Sequence, residues 1–217
     1  MTYQECKNQV LKLLNQYTIA GDDVATSYNN QTDYIKRIPS LINDAMMELS
    51  TTARKIETTY ALTAEAAADS TDREYRFVMP DDFYQFKSGD SFITWRDKGH
   101  HNQAYWYRGK NYVVLPKWIV DNCAPVVTYY RYPTLLPEED ASITPSTPLD
   151  NVPEVHRAIP YYVAGMLAAH DDAFLASTLM NGYEDKLAKM EPQLTTDVAP
   201  VQDAYLFNRP WCDYYNY

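Results

Sequence analysis

The hydrophobic pattern of the chain changes its period twice, and this double change constrains the fold more than any other feature. Apolar residues recur at helical spacing in residues 2–56 and again in residues 152–190, whereas residues 71–136 contain short β-branched and aromatic runs. An isolated amphipathic helix cannot bury its own apolar stripe, so we expect the two helical regions to pack together. The pattern predicts an α+β fold, a small helical bundle with an inserted antiparallel β lobe.

The first helical region contains two predicted helices. Thr2 and Glu5 form a capping-box pattern, in which the hydroxyl and the carboxylate satisfy each other's backbone amides. This pattern begins a helix over about residues 2–17. Asp33 can cap a second helix over about residues 33–56.

The β insertion over about residues 71–136 is divided by Gly, Pro, Asn and Asp into about five antiparallel strands. Tight turns are predicted at residues 80–82 and 108–111. An acidic connector rich in Pro, Ser and Thr follows in residues 137–151.

Helical periodicity returns over about residues 152–190, with Asp150 or Asn151 as a cap and Pro153 in the first turn. The polar residues 170–172 predict a break in this region. Two apolar stripes are expected, formed by Val155, Ile159, Tyr162, Met166 and Ala169 before the break and by Leu175, Leu179, Tyr183, Leu187 and Met190 after it.

Residues 199–217 have neither helical nor alternating periodicity, and Pro200 and Pro210 oppose a helix. The sequence therefore predicts a single domain over residues 1–198 and an extended C-terminal tail over 199–217. The tail's large apolar side chains either fold back onto the bundle or bind a groove on another subunit. The candidate partner-binding residues are Tyr205, Leu206, Phe207, Trp211, Tyr214, Tyr215 and Tyr217.

The charge balance opposes a nucleic-acid-binding protein. The net charge of -10 and the pI of about 4.8 leave few cations to neutralise phosphates. The chain has 20 Tyr against 6 Phe, and tyrosine suits either a sheet surface or a surface that is wet before assembly and buried afterwards. The acidity itself serves either solubility or the repulsion of DNA.

No arrangement of residues in the sequence indicates catalysis, a metal or a cofactor. His100 and His101 are adjacent, the three cysteines form no CxxC pair, and Cys6 lies on the apolar stripe of the first helix, as a core thiol would. Phosphate-loop and nucleophile-elbow motifs are absent. We therefore expect a protein that is not an enzyme, made in the cytoplasm, with neither a signal peptide nor a membrane-spanning segment.

The layout resembles the head–tail adaptor family of tailed bacteriophages, also described as connector or head-completion proteins. Several segments carry the resemblance across nearly the whole chain. They are the second helix (residues 33–45 and 48–49), the Pro-Asp-Asp turn (residues 78–84), the central strands (residues 111–116 and 127–133) and the C-terminal helix (residues 159–167 and 183–184).

This resemblance implies a structural virion protein at the head–tail interface. Such proteins assemble as a ring, here of twelve copies, below the portal protein, with a C-terminal segment that reaches the portal or a neighbouring subunit. The ring extends the DNA channel for genome ejection without binding DNA specifically, and it offers a platform to a downstream tail or neck protein. Alternatives are another neck ring, such as a stopper or tail terminator, and a small-molecule-binding domain or enzyme.

Overall fold

The computed structural model describes residues 1–14, 29–87, 93–94, 106–107 and 110–190, with the backbone alone described for 29–32, 93–94 and 106–107. Two compact units divide these residues. The helical unit comprises Met1–Glu57, Asp81–Tyr84 and Tyr130–Gln193, and the sheet unit comprises Thr58–Pro80 and Gln85–Tyr129. Five α-helices and two β-sheets in the described part confirm the α+β class. A single domain over 1–198 stays a prediction.

Helix α1 (Tyr3–Leu13) begins at the predicted capping box. The Thr2 hydroxyl accepts a hydrogen bond from the Glu5 amide at 3.3 Å, and the Glu5 carboxylate accepts one from the Thr2 amide at 2.8 Å. Its buried side chains are Tyr3, Cys6, Val10 and Leu11. Tyr3, Cys6 and Val10 recur at helical spacing in the sequence, whereas Leu11 lies outside that predicted stripe. The predicted residues 15–17 of this helix lie outside the described residues.

Helix α2 (Asn29–Thr52) begins four residues before the predicted start and ends four residues early. Asp33 is therefore inside the helix and does not cap it. No glycine or proline occurs in residues 23–38, so nothing in the sequence stops the helix from beginning earlier. Near its end, the Thr52 hydroxyl donates to the Glu48 carbonyl at 2.7 Å, a back-bond typical of residues that compete with helix continuation.

The predicted C-terminal helical region is two α-helices, α4 (Ile159–Ala168) and α5 (Ala173–Ala188). The predicted break is confirmed, and Asp172 caps α5 by accepting the amides of Phe174 and Leu175 at 3.0 and 2.9 Å. The stripe predicted for α4 is partly wrong, because Met166 and Ala169 are exposed. The buried positions of α4 are Ile159, Pro160, Val163, Ala164, Gly165, Leu167 and Ala168, since this short helix packs against α1, α2 and α5 at once.

Helices α4 and α5 approach each other closely at two glycines. A Cβ atom on Gly165 would lie 2.8 Å from Met180 Sδ, and one on Gly182 would lie 2.9 Å from Tyr161 Cδ1. Small residues at these positions let the two helices pack tightly. The second predicted stripe is confirmed on α5, where Leu179 and Tyr183 are buried.

One sheet of the sheet unit has the antiparallel order β2-β3-β7-β6, formed by Asp69–Ser70, Glu74–Val78, Tyr112–Pro116 and Trp106–Tyr107. In its register Phe77 pairs with Val113 and both are buried. Arg76 lies on the opposite face, where its guanidinium is 4.3 Å from the centre of the Tyr112 ring. Alternation along β3 therefore places Phe77 on one face of the sheet and the Arg76–Tyr112 pair on the other.

Helix α3 (Lys117–Cys123) lies inside the region where the sequence predicts only strands. Its Ile119 and Val120 are β-branched, which is typical of a strand, yet both are buried by the helix. The helix follows Pro116 and ends at Ala124, whose φ of 45° is left-handed. The prediction of strands alone is therefore wrong here, because tertiary burial outweighs local propensity.

The other sheet has the order β1-β8-β4, from Ile56–Ala61, Val126–Arg131 and Phe83–Phe86, and β5 (Ile93–Thr94) pairs with β8. The insertion thus begins at Ile56, earlier than predicted. The predicted Pro80–Asp82 turn is confirmed between β3 and β4, whereas part of the 108–111 turn lies outside the described residues.

The predicted cap at Asp150 or Asn151 is wrong. Val152 precedes a 3-10 helix, Pro153–Arg157, which has no side-chain cap, although Pro153 does lie in its first turn. The Asp150 carboxylate accepts two hydrogen bonds from the Arg131 guanidinium at 2.7 Å. A bidentate, charge-assisted pair is stronger than one cap hydrogen bond, so it determines where this carboxylate points.

Candidate partner-binding surfaces

The tail residues predicted to bind a partner lie outside the described residues. They are Tyr205, Leu206, Phe207, Trp211, Tyr214, Tyr215 and Tyr217. The described part of the chain presents other surfaces, and of these the sequence indicated only the acidic connector over residues 137–151.

An open cavity of about 540 Å³ lies in the helical unit and is called the basic cavity below. It is lined by Arg54, Pro153, Glu154, Arg157, Lys189 and Met190. Among the described residues that line it, three cations and one carboxylate have a combined formal charge of +2, in a chain whose net charge is -10. No local motif predicts it, because α2, the 3-10 helix and α5 bring the cations together from distant parts of the sequence.

The cations of the basic cavity differ in their partners. Lys189 pairs with Asp185 at 2.5 Å across one helical turn, and both side chains are well exposed to solvent. Such exposed pairs hold their geometry weakly, so an incoming anion can compete for the lysine. Arg157 is exposed and has no hydrogen-bond or ion-pair partner among the residues that the structure describes.

A short acidic segment, residues 135–139, is called the acidic loop below. Glu138 and Glu139 are both exposed, and within the described ranges neither carboxylate has a hydrogen-bond or ion-pair partner. Leu135 in the same loop is 50% exposed. The loop therefore presents two unpaired negative charges next to an apolar side chain.

Hydrogen bonds fix the acidic loop on both sides. Asn43 of α2 donates to the Leu136 carbonyl at 2.9 Å and accepts from the Leu136 amide at 2.8 Å. On the other side, the Asp140 carboxylate accepts from Lys7 Nζ at 2.7 and 2.9 Å and from the Tyr3 hydroxyl. Burial and the Asp140 carboxylate raise the pKa of Tyr3, so that hydroxyl stays a donor. The backbone of the loop is thus hydrogen-bonded to α2 at Leu136, and Lys7 and Tyr3 of α1 bind the Asp140 side chain that follows it.

A second anchor lies just before the acidic loop. Asp150 also accepts the Thr134 amide at 2.7 Å, in addition to the guanidinium of Arg131. The hydrogen bonds from Arg131 outweigh burial and lower the pKa of Asp150 to about 2. The carboxylate is therefore ionised at neutral pH.

Large apolar side chains are exposed in both units. Phe174, in the first turn of α5, is 82% exposed, and Trp118 of α3 is 59% exposed. Isolated exposed apolar residues are common, but aromatic side chains at this exposure are typical anchors of protein–protein contacts. Each unit therefore has at least one candidate contact residue.

Buried polar groups of the helical unit cluster around His156. Its Nδ1 lies 3.0 Å from the Met1 nitrogen, and burial followed by that amino group lowers the pKa of His156. His156 Nε2 and Asn151 Oδ1 are buried and have no partner in the described part. Ordered water commonly supplies the missing hydrogen bonds of such buried groups, so we assign this cluster a structural role.

The side chains that could act as a nucleophile or as an acid or base are buried or hydrogen-bonded in structural roles. Cys6 is fully buried, as predicted, and burial raises the pKa of its thiol to about 12, which disfavours a nucleophilic thiolate. Asp171 accepts a hydrogen bond from the Tyr34 hydroxyl, and Asp172 caps α5. Within the described ranges, no three His, Cys, Asp or Glu side chains are placed to hold a metal ion.

In the part of the chain that the structure describes, no helix combines the length and apolarity needed to cross a bilayer. No curated protein matches the sequence. A family model with the description SU10 adaptor protein matches residues 1–205.

Proposed function

The chain belongs to the SU10 adaptor protein family, and we propose on that premise that it forms a ring below the portal of a tailed bacteriophage. Membership makes it a structural head–tail adaptor of the virion. The match over residues 1–205 carries the proposal, because it spans both units and reaches into the tail. In this ring the protein extends the DNA channel, provides the platform for the tail and performs no catalytic step.

The exposed side chains support a protein with several contacts per copy. An adaptor must bind its own copies, the portal above it and a tail or neck protein below it. Phe174 in the helical unit and Trp118 in the sheet unit are large aromatic side chains that water surrounds in the single chain. Burying each in a subunit contact removes apolar area from water, which favours assembly.

The acidity of the chain supports a channel through which DNA slides. A net charge of -10 gives a twelve-copy ring a strongly negative field, which repels phosphates. DNA affinity depends mainly on phosphate neutralisation by Lys and Arg, so a negative wall keeps the genome from adhering.

The tail is proposed to hold the adaptor to the portal or to a neighbouring copy. Its seven large apolar residues, Tyr205, Leu206, Phe207, Trp211, Tyr214, Tyr215 and Tyr217, lie in a stretch that includes Pro200 and Pro210. Extended segments with large apolar side chains can bind grooves on another subunit by placing these side chains in pockets. We assign the deepest contacts to Phe207 and Trp211.

Electron microscopy of the phage particle tests this function. We expect twelve copies arranged as a ring in direct contact with the portal, with their tails on the portal or on a neighbouring copy. One or two copies at the neck would contradict the ring. A ring separated from the portal by another protein would instead identify a stopper or tail terminator.

A further inference from the structure

The helical unit carries two surfaces of opposite charge, the basic cavity and the acidic loop. We propose that the acidic loop of one copy docks into the basic cavity of the next copy, so that this pair forms the repeated subunit contact. The inference rests on the proposed ring and names the residues that close it. Glu138 and Glu139 are the donated carboxylates, and Arg157 and Lys189 are their principal partners.

The acidic loop is suited to be inserted because its backbone is hydrogen-bonded to α2 and its two glutamates are unpaired within the described residues. Its neighbours Asp140 and Asp150 already bind Lys7 and Arg131. Glu138 and Glu139, in contrast, are exposed and find no partner within the described residues. The Asn43 hydrogen bonds to Leu136 fix the backbone, so docking orders few additional groups.

The basic cavity is suited to receive two carboxylates. It is an open depression of about 540 Å³, so a loop of another molecule can enter it from solvent. Arg157 presents an unpaired guanidinium that can hold a carboxylate with two hydrogen bonds. Pro153 and Met190 add apolar lining against which Leu135 of the incoming loop can pack.

A second copy of this chain is the occupant that the charges favour. Copies with a net charge of -10 repel one another in general, so a contact between them requires a local positive surface. The basic cavity supplies that surface, and the acidic loop is a different surface of the same unit. A contact between two different surfaces is heterologous, and it forms a ring when the rotation from copy to copy closes, as the proposed function requires.

The test is a charge exchange scored by assembly of the full-length protein on the phage's own portal protein. The loop variant combines Glu138→Lys with Glu139→Lys, and the cavity variant combines Arg157→Glu with Lys189→Glu. Each variant alone places like charges in every contact, so we expect the fraction of portals with a complete ring to fall at least about tenfold. Electron microscopy counts the rings, and circular dichroism verifies that each variant is folded.

Two rescue experiments make the test specific. A chain with all four substitutions restores opposite charges in each contact and should assemble again. A mixture of the loop variant and the cavity variant should also assemble, because alternating copies pair the new lysines with the new glutamates. Matched controls are Glu184→Lys and Lys36→Glu, exposed positions on α5 and α2 that should leave assembly unchanged.

The outcomes separate this inference from the proposed function. Wild-type protein that forms no ring on the portal would overturn the proposed function. Wild-type rings together with normal assembly of both single-surface variants would overturn the docking inference and leave the ring intact. If only the cavity variant lost assembly and neither rescue restored it, the cavity would bind the portal or DNA instead. That result would also overturn the docking inference.

Discussion

The hydroxyl of Tyr183 donates a hydrogen bond to the Glu48 carboxylate at 3.1 Å, which links α5 to α2. The Tyr183 ring is buried and packs against Tyr162 of α4, with ring centres 5.4 Å apart. Burial and the negative charge of Glu48 raise the pKa of Tyr183. Three of the helices in the unit thus meet at one tyrosine.

Tyr183→Phe should lower the free energy of unfolding by about 1 kcal/mol, because it removes this hydrogen bond and keeps the ring. Chemical denaturation at neutral pH measures the change. Tyr162→Phe is the matched control, since it retains both the ring pair and the Glu48 bond, and it should stay within about 0.5 kcal/mol of wild type. If the free energy of unfolding fell equally in the two variants, the effect would come from removing any tyrosine hydroxyl and not from the Glu48 hydrogen bond.

The raised pKa of Tyr183 also predicts a dependence on alkaline pH. The neutral hydroxyl is favoured in the folded protein, so its contribution is complete below the ordinary tyrosine pKa of about 10. This contribution is lost as pH rises toward the folded-state pKa. Wild type should therefore lose stability above about pH 10 faster than Tyr183→Phe.

Asp150→Asn should destabilise the helical unit by about 1 kcal/mol at pH 7, allowing for the partial exposure of the Arg131 pair. The pKa of Asp150 falls from 3.8 to about 2 on folding, so its contribution is complete above pH 3.8 and disappears as pH falls through about 2. Urea denaturation between pH 6 and pH 2 should show the two proteins converging. A constant difference across that range would contradict the assignment, and Asp185→Asn at the exposed Lys189 pair should change little at any pH.

Gly182→Ala should destabilise the protein more than Gly165→Ala, by about 1 kcal/mol. The replacement of glycine by alanine raises the intrinsic stability of both helices by a similar amount. The difference in stability between the two variants therefore measures packing. At Gly182 the added methyl group meets the rigid Tyr161 ring, and at Gly165 it meets the flexible Met180 side chain. Thermal unfolding of the two variants compares them directly, and the opposite order would contradict this account of the α4–α5 contact.

A chain that ends at Pro200 should fold with a helical content and melting temperature close to those of the full-length protein, yet fail to join portal-bearing capsids. The removed residues include every tail side chain proposed to bind a partner. In the full-length protein, Trp211→Ala and Phe207→Ala should each weaken binding, and Tyr217→Ala should weaken it less. Normal assembly of the shortened chain would rule out the tail contact, and unfolding would place the tail in the protein's own core.

Features set by neighbouring residues could be predicted from the sequence. The Thr2–Glu5 capping box and the break before α5 depend on groups within three residues of each other, so local pattern suffices. The cap predicted at Asp150 is wrong because Arg131, its actual partner, lies at the end of β8, 19 residues earlier in the chain. Helix α3 was missed because burial of Ile119 and Val120 outweighed their strand preference.

The acidic loop and the basic cavity also depend on residues that are distant in the sequence, so local pattern could not predict them fully. The acidic run at Glu138 and Glu139 is visible in the sequence, but the hydrogen bonds next to it come from Asn43, which lies more than ninety residues earlier. The basic cavity requires Arg54, Arg157 and Lys189 to meet, and only the packed helices bring them together. The composition indicates an acidic protein, and it gives no sign that the charge is locally positive at the basic cavity.

The order of helices in the unit has a consequence for synthesis on the ribosome. Helices α1 and α2 both pack against α4, and roughly a hundred residues separate the end of α2 from the start of α4. At a translation rate of about 5–20 residues per second, the apolar face of α2 stays exposed for roughly 5–20 s before α4 is translated, and that of α1 for somewhat longer. During that interval Ile38, Ile42 and Leu49 are available to chaperones or to other nascent chains. When many copies are made at once, these exposed faces favour aggregation between nascent chains until α4 covers them.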